Sequence, residues 1–191
     1  IAEIAPDPAT TVIVNCAGRT RSIIGAQTLV NAKVPNRVAA LRNGTIGWLL
    51  AEQKLEHGAQ QTYPAAVGDA SLRAARDTAR RVAQAAGVRW IARGQLDTLA
   101  ESGRTLYRFD VRSPGEHAHA HLPHFLSAPG GQLVQETDHF APVRGARLAV
   151  SDDDGVRANM TASWLAQMGW EVYVVEHGTQ DLVVTMPSKD G

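Results

Sequence analysis

The stretch Val12–Gly25, VIVNCAGRTRSIIG, contains Cys16, the only cysteine of the chain. The β-branched residues that precede Cys16 predict a buried strand. Residues 20–30 predict a helix, with Ile23, Ala26 and Val30 at helical spacing. Cys16 is therefore expected between the carboxyl end of a strand and the N-terminus of a helix, which is where open α/β sheets bind their ligands.

The residues around Cys16 favour an anionic sulfur atom. Backbone N–H groups of a tight loop and of a first helical turn attract anions, and Gly18 allows the chain to turn sharply. Arg19 and Arg21 add two positive charges. We therefore expect the pKa of Cys16 to lie below the free-thiol value of about 8.5, in a loop that also binds an anionic substrate.

The length of the loop after Cys16 distinguishes between two classes of cysteine-dependent enzyme, those that bind a phosphate in this loop and those that hold a single sulfur atom. Cys16 and Arg21 are separated by four residues, one fewer than in the phosphate loop of tyrosine-type phosphatases. Ser22 stands where such a phosphatase has its arginine. The shorter loop is better sized for one sulfur atom than for a tetrahedral phosphate, so a cysteine-dependent phosphatase is the weaker alternative.

VIVNCAGRTRSIIGAQTL, together with the following RVAALRNGTIGWLLA, resembles the active-site region of the rhodanese family, the thiosulfate sulfurtransferases. The resemblance implies an α/β fold in which a central parallel sheet is flanked by helices. It implies that Cys16 is the catalytic nucleophile, which carries sulfur as a persulfide from a small anionic donor such as thiosulfate to a thiol or cyanide. The reaction that the resemblance implies requires no metal or organic cofactor. The substrate-binding residues that it implies are Ala17, Gly18, Arg19, Thr20, Arg21 and Ser22.

The chain contains a second stretch of the same pattern, Leu148–Gly178. In an alignment without gaps through the loop and helix, Val14 falls on Val150 and Arg21 on Arg157. After a two-residue difference in the connection, RVAALRNG falls on EVYVVEHG. Such self-similarity predicts a duplicated structural unit.

The second copy has further family features upstream, in LYRFDVRSPGEHAHAHLPHF (Leu106–Phe125). It resembles the first half of a rhodanese domain, in which a strand ends in Asp-x-Arg and is followed by a Glu and a His-x-Pro. The matching residues are Asp110, Arg112, Glu116 and His121. Asp110 and Arg112 are expected to form an ion pair that braces the loops. Ala120 and His124 depart from the family pattern, which has glycine at those two positions.

The second loop has no thiol, because Asp152 falls on Cys16. Asp152, Asp153 and Asp154 cannot carry a persulfide, and their charges are expected to repel an anionic donor. Together with Arg157 they form a degenerate site in a domain that we predict to be inactive.

We divide the chain into the C-terminal half of a catalytic domain (residues 1–60), a linker and helix (61–88) and an inactive rhodanese-like domain (89–187). Few residues precede the strand at Val12. The matching N-terminal half is therefore expected to lie outside this chain, and either that half or another chain would cover the exposed edge. Between the copies, Tyr63–Asp69 predicts a linker, and Ser71 is expected to cap a helix that runs to about Ala86.

Composition excludes several classes of protein. The net charge is zero, which gives no support to a nucleic-acid partner. No apolar run approaches the roughly 20 residues of a membrane span. A single cysteine cannot form an internal disulfide, which favours a cytoplasmic location. The helix after the linker carries four arginines, which are expected to solvate its outer face: Arg73, Arg76, Arg80 and Arg81.

Three alternatives compete with sulfur transfer. A non-catalytic binding or regulatory module would leave the intact Cys16 loop unexplained. The DDDGV at Asp152–Val156 also fits the opening of haloacid dehalogenase-type phosphatases, but the 35 residues after Val156 lack the acids that hold magnesium. A histidine-rich stretch could suggest a metal site, although the family pattern makes this stretch a surface loop and we expect no metal there: His117, His119, His121 and His124.

Overall fold

The structure is a computed structural model that describes residues 1–58 and 67–184. It divides into two compact units, Ile1–Thr78 and Ala79–Gly191. A helix that runs from Asp69 to Ala85 passes from one unit into the next.

The first unit is built on two parallel strands. It contains β1 (Val12–Val14), α1 (Thr20–Asn31), β2 (Val38–Ala40) and α2 (Gly44–Leu50). β1 and β2 pair so that Val12 lies opposite Val38, and α1 packs against both strands. The predicted strand, loop and helix around Cys16 are therefore present.

The apolar face predicted for α1 is not buried within this unit. Ile23 is 46% exposed and Val30 is 51% exposed. Ser22 is the one residue of α1 that is fully buried. Spacing along a helix identifies an apolar face, but it does not say whether the neighbour that covers the face belongs to the same unit.

The second unit contains a five-stranded sheet in which all pairings are parallel. The predicted α/β class, with a central parallel sheet flanked by helices, is confirmed for this unit. Its five strands, in spatial order, are β3 (Arg89–Ala92), β8 (Glu171–Glu176), β7 (Arg147–Ser151), β4 (Leu106–Asp110) and β6 (Leu126–Ser127). A separate antiparallel pair is formed by β5 (Ala120–His121) and β9 (Val183–Val184).

Helices pack against the second sheet and bury its central strands. The central strand β7 is buried along its whole length, as expected for a parallel strand covered on both faces. Leu148 and Leu165 are completely buried. The helix that crosses the unit boundary is α3 (Asp69–Ala85), and the others are α4 (Leu96–Glu101), α5 (Pro114–His119), α6 (Gly130–Gln135), α7 (Thr137–Phe140) and α8 (Arg157–Gln167).

The strand register is the same in the two units. Val12 lies opposite Val38 in the first unit, and Leu148 lies opposite Val172 in the second. The sequence alignment places Val12 on Leu148 and Val38 on Val172, so equivalent residues face each other. A duplicated unit predicts this agreement.

The helix between the copies differs from the prediction at its start. α3 begins at Asp69, so Ser71 lies inside the first turn and does not cap it. The N–H of Leu72 donates to the carbonyl of Gly68, which extends the helical bonding backwards. The four arginines of its outer face are exposed as expected. Residues 63–66 of the predicted linker lie outside the described residues.

Candidate active site

Cys16 lies in the loop between β1 and α1, which we call the Cys16 loop (residues 15–19). Its side chain is partly exposed. The predicted substrate-binding residues continue from this loop into the first turn of α1, which begins at Thr20. The structure therefore brings the thiol and these residues together at the carboxyl end of a parallel strand.

The start of α2 sets the orientation of the Cys16 loop. The N–H groups of Thr45 and Ile46 donate to the carbonyl oxygens of Cys16 and Ala17, each at 3.0 Å. In a trans peptide group the C=O and the next N–H point in opposite directions. The N–H groups of Ala17 and Gly18 therefore point away from α2, into the loop, where they can donate to an anion.

Gly44 is the residue that permits this close contact. Its φ is +58°, in the left-handed region that favours glycine. A methyl group at this position would overlap the carbonyl oxygens of Cys16 and Gly18. The sequence alignment singled out Gly44 as part of the repeat, but its contact with the Cys16 loop is visible only in three dimensions.

The pKa of Cys16 is lowered, as the sequence predicts. The nearby Ser22 hydroxyl has the largest effect on this pKa, although in the structure it donates to the carbonyl of Arg19 at 2.8 Å, and burial of the thiol acts against it. The backbone N–H groups of Ser22 and Gly18 lower the pKa further, and so does the charge of Arg21. The sequence analysis placed Ser22 among the substrate-binding residues and missed its effect on the thiol.

Arg19 and Arg21 are exposed. Within residues 1–58 and 67–184 neither of them forms an ion pair. Arg157, the counterpart of Arg21, is different because it pairs with Glu116, Asp153 and Asp154. The charge of Arg21 is thus available to a bound anion, whereas that of Arg157 is used within the fold.

The loop of the second unit, which we call the Asp152 loop (residues 152–156), holds a carboxylate where the first holds a thiol. The carboxylate of Asp152 accepts hydrogen bonds from the N–H groups of Gly155 at 3.0 Å and Ala158 at 2.8 Å. Ala158 is the counterpart of Ser22, whose N–H acts on Cys16. One equivalent backbone N–H group therefore acts on the side chain at this position in both loops.

The other two carboxylates of this loop are paired, which corrects part of the sequence interpretation. Asp153 binds Arg112 at 3.2 Å and Arg157 at 2.7 Å. Asp154 binds the Nε of Arg157 at 2.8 Å. The expected repulsion of an anionic donor is therefore weaker than three unpaired carboxylates would produce. The stronger arguments against sulfur transfer in this unit are the lack of a thiol and the side chain of Asp152, which already fills the loop.

Burial and the neighbouring carboxyl group of Asp154 shift the pKa of Asp152 in the same direction. Burial, followed by the hydrogen bond with Asp154, raises the pKa of Asp152 to about 7. Burial alone would raise the pKa of Asp154 as well, but the hydrogen bonds from Asp152 and from two backbone N–H groups lower it overall. Asp152 is thus the member of the pair that holds the proton.

Asp110 and Arg112 form a buried ion pair, as the sequence interpretation expected. The Nη2 of Arg112 lies 2.7 Å from the carboxylate of Asp110, and both side chains are buried. This hydrogen bond raises the pKa of Arg112. The same guanidinium group donates to the carbonyl of Ala120 and to Asp153. The pair therefore connects β4 to α5–β5 and to the Asp152 loop.

The two departures from the family pattern have different structural consequences. Ala120 has an extended backbone with φ near −159°, which any residue can adopt. His124 has a φ of +67°, in the region where glycine is favoured. Ala120 is therefore accommodated without strain, whereas His124 occupies a conformation that is unfavourable for its side chain.

The histidine-rich stretch uses its ring nitrogens within the fold. His117 and His121 stack with 4.0 Å between ring centroids. The Nε2 of His117 lies 2.8 Å from the carbonyl oxygen of Phe125, and the Nδ1 of His121 lies 2.9 Å from that of His117. In the part of the chain that the structure describes, no group of three or more His, Cys, Asp or Glu could hold a metal ion.

The raised pKa of Asp152 predicts a pH dependence of stability. Because its folded pKa of about 7 exceeds the ordinary value of 3.8, its contribution to stability is full below about pH 4 and is lost as the pH rises through 7. We expect Asp152→Asn to remove this dependence. The difference in unfolding free energy between the variant and the wild type should then change by up to about 1.4 kcal/mol per pH unit.

Urea unfolding at pH 5, 6, 7 and 8 measures this difference. A Trp48→Phe background removes the indole of α2, so that the fluorescence reports the tryptophans that follow α3 in sequence. Asp138→Asn, at an exposed carboxylate of α7, is the matched control and should follow the wild-type curve. Parallel curves for Asp152→Asn and the wild type would show that Asp152 does not hold a proton at neutral pH.

The parallel sheet and the loops at its carboxyl edge define the class of this chain. A family model described as the rhodanese-like domain matches residues 92–183. Residues 92–183 therefore have the rhodanese fold. The structure is similar to that of thiosulfate sulfurtransferase from Pseudomonas aeruginosa, with a TM-score of 0.88 and 59% sequence identity. The match covers 94% of this chain and 34% of that one, so the chain spans about a third of its relative.

More distant structures give no functional argument. The BH2092 protein from Bacillus halodurans matches with a TM-score of 0.42 and 17% identity, over 60% of this chain and 90% of its own. SseA from Escherichia coli, a 3-mercaptopyruvate sulfotransferase, matches with a TM-score of 0.36 and 18% identity, over 90% of this chain and 68% of its own. No protein with a curated description matches the chain. Among the described helices, none has the length and apolar character to cross a membrane.

Proposed function

We propose that this chain belongs to a sulfurtransferase in which Cys16 carries sulfur as a persulfide. The observation that carries the proposal is the Cys16 loop, where a partly exposed thiol lies between the end of a strand and the N-terminus of a helix, and where Ser22, Gly18 and Arg21 lower its pKa. The 59% identity to a thiosulfate sulfurtransferase over almost the whole chain supports the same chemistry.

In the first step the Cys16 thiolate attacks the outer sulfur of thiosulfate. A new S–S bond forms at Cys16, the S–S bond of thiosulfate breaks, and sulfite leaves with the bonding electron pair. Negative charge passes from the thiolate to the outer sulfur and the leaving group. Arg19 and Arg21 stabilise the charge on the sulfonate oxygens.

In the second step an acceptor removes the outer sulfur. A thiolate or cyanide attacks it, and the bonding pair of the persulfide returns to Cys16 as the thiolate. The products are a persulfide of the acceptor or thiocyanate, and the free enzyme is regenerated. The covalent intermediate divides the transfer into two displacements. During both, the N–H groups of residues 17–22 stabilise the sulfur anion, and the hydroxyl of Ser22 adds to them when it turns from the carbonyl of Arg19 toward the sulfur.

We propose that the second unit is a rhodanese-like domain without this activity. The carboxylate of Asp152 occupies the position equivalent to the thiol and already accepts two backbone hydrogen bonds. The shared register of the two strand pairs supports a duplication. In this proposal residues 1–60 are the C-terminal half of the catalytic domain, residues 61–88 connect it, and residues 89–187 form the inactive domain.

Apolar exposure in the first unit supports the proposal that another segment covers it. Ile13 of β1 is 62% exposed, although this strand is a member of a parallel pair that is normally buried. A missing N-terminal half of the domain, or another chain, would cover this surface. A reducing cytoplasm is the proposed location, because Cys16 must remain a thiol to accept sulfur.

The intact mass of the protein after treatment with thiosulfate tests the proposed function. We expect a gain of one sulfur atom on Cys16, which cyanide then removes as thiocyanate. A protein that binds thiosulfate without a gain in mass would favour the non-catalytic binding module. Release of phosphate from aryl phosphates without a gain in mass would favour a phosphatase.

Arg19→Glu is expected to weaken the use of an anionic donor selectively. The change reverses a charge beside the thiol, so the KM for thiosulfate should rise about tenfold while that for an uncharged persulfide donor stays within about twofold. The effect should decrease with added salt, since Arg19 is exposed. Steady-state kinetics with both donors at low and high ionic strength measures it. Arg37→Glu is the charge-matched control, and equal losses for both donors would contradict the assigned role of Arg19.

A further inference from the structure

We propose that a cavity beside the Cys16 loop binds the carboxylate end of an organic thiol that accepts sulfur. This inference rests on the proposed function and adds the class of acceptor and its binding site. The cavity has a volume of about 470 Å³. We call it the arginine pocket, and its lining residues are Arg19, Ile23, Ala40, Leu41, Arg42 and Asn43.

The lining combines two cations with apolar surface. Arg19 comes from the Cys16 loop and Arg42 from the segment after β2, so two separate parts of the chain place guanidinium groups at one cavity. In the described ranges Arg42, like Arg19, forms no ion pair. Leu41 and Ala40 supply apolar contacts, whereas Ile23 belongs to the α1 face that another segment is proposed to cover. Guanidinium groups bind carboxylates in a planar, two-pronged geometry, so the pocket fits a carboxylate attached to a short carbon chain.

The size of the pocket argues for an acceptor larger than cyanide or thiosulfate. Small-molecule sites have volumes of about 300–1,000 Å³, and this cavity lies in that range. An inorganic anion would leave most of it filled with water. An amino-acid or short-peptide thiol would place its carboxylate on the arginines and its carbon atoms against Ala40 and Leu41.

Backbone hydrogen bonds fix the pocket relative to Cys16. The N–H of Leu41 donates to the carbonyl of Val14 at 2.9 Å, and the N–H of Thr45 donates to that of Cys16 at 3.0 Å. The segment that carries Arg42 is thus bonded to the chain on both sides of Asn15. Asn43 holds a φ of +57°, a conformation that asparagine tolerates well, and it turns the chain into α2. The backbone that carries Arg42 is therefore held at a defined place relative to the Cys16 loop.

The experiment compares acceptors that differ only in charge. N-acetylcysteine carries a carboxylate, and N-acetylcysteine amide replaces it with a neutral amide. Each is used to discharge the preformed persulfide of the 191-residue chain. We expect Arg42→Gln to lower kcat/KM for N-acetylcysteine about five- to tenfold and to change that for the amide less than twofold. Each acceptor is compared between the wild type and the variant. The difference in thiol reactivity between the two acceptors therefore does not affect the result.

Arg37→Gln is the matched control, because Arg37 is an exposed arginine just before β2 that does not line the pocket. It should leave both acceptors unchanged. Persulfide formation from thiosulfate should also be unaffected by Arg42→Gln, since the donor is proposed to contact Arg19 and Arg21 and not Arg42. Equal effects of Arg42→Gln on the acid and the amide, or equal effects of the two arginine variants, would overturn the inference.

A binding measurement separates the inference from the proposed function. N-acetyl-S-methylcysteine has the carboxylate but cannot accept sulfur, and its binding is followed by NMR shifts in the 191-residue chain. We expect saturable shifts at the pocket that Arg42→Gln weakens about five- to tenfold. If this binding occurs but no persulfide forms on Cys16, the pocket stands and the proposed function fails. If sulfur is transferred but Arg42→Gln changes neither binding nor discharge, the pocket inference fails and the proposed function stands.

Discussion

Cys16→Ser is expected to reduce sulfur transfer from thiosulfate at least about a thousandfold. The hydrogen bonds that lower the pKa of the thiol cannot produce an alkoxide at neutral pH, because a serine hydroxyl is a far weaker acid. The variant should gain no sulfur atom in an intact-mass spectrum after treatment with thiosulfate. Steady-state release of thiocyanate measures the loss of turnover.

The fold of this variant should be unchanged, since Cys16 is partly exposed and serine has a similar size. Circular dichroism and the urea midpoint confirm this point. Ser22→Ala is an informative companion, because it keeps the nucleophile and removes the largest cause of its lowered pKa. We expect its rate to fall at neutral pH and to recover in part as the pH rises. Substantial thiocyanate release by Cys16→Ser would contradict the role assigned to Cys16.

The local structure around Cys16 could be predicted because short-range patterns determine it. A β-branched run, a glycine-containing loop and a helical stretch follow one another in sequence, and the structure has β1, the Cys16 loop and α1 in that order. The repeat predicted an equivalent β7, loop and α8, and it also placed the residues that face each other across the two strand pairs. These features depend on neighbours in the chain or on a direct comparison of two segments.

The features that the sequence did not predict depend on contacts between distant residues. Gly44 is far from Cys16 in sequence, but it packs on the carbonyl oxygens of the Cys16 loop. The carboxylates of the Asp152 loop looked unpaired in sequence, whereas Arg112 approaches from β4 and neutralises Asp153. The sequence shows which side chains carry a charge, but only the fold shows which of these charges are paired with an opposite charge.

Contacts that the sequence does not show also explain two wrong predictions, the burial of one face of α1 and the first residue of α3. The spacing of Ile23 and Val30 is that of a buried face, and both residues are exposed in the first unit. Ser71 is a residue type that favours a helix cap, but Gly68 and Asp69 continue the helix past it. A sequence pattern shows what a residue prefers, and the hydrogen bonds available to the neighbouring backbone decide where an element begins.

Gly44→Ala is expected to lower the rate of persulfide formation about a hundredfold, because small displacements of a reacting group cost about that much. The methyl group would overlap the carbonyl oxygens of Cys16 and Gly18, and alanine is strained at a φ of +58°. The loop must move away from α2, and the N–H groups of Ala17 and Gly18 then lose their orientation toward the sulfur. Stopped-flow measurement of sulfite release reports the first step alone.

Gly178→Ala provides the control within the same chain, because Gly178 is the counterpart of Gly44 in the repeat. The three atoms nearest to a methyl group there all belong to the side chain of Gln180, whose flexible end can move, and the φ of Gly178 is not positive. We expect no change in persulfide formation and little change in stability. If both variants reduced the rate equally, the effect of Gly44→Ala would reflect a general loss of stability. If neither did, the carbonyl contacts of α2 would not set the orientation of the Cys16 loop, and the thiolate would depend on Ser22 and Arg21 instead.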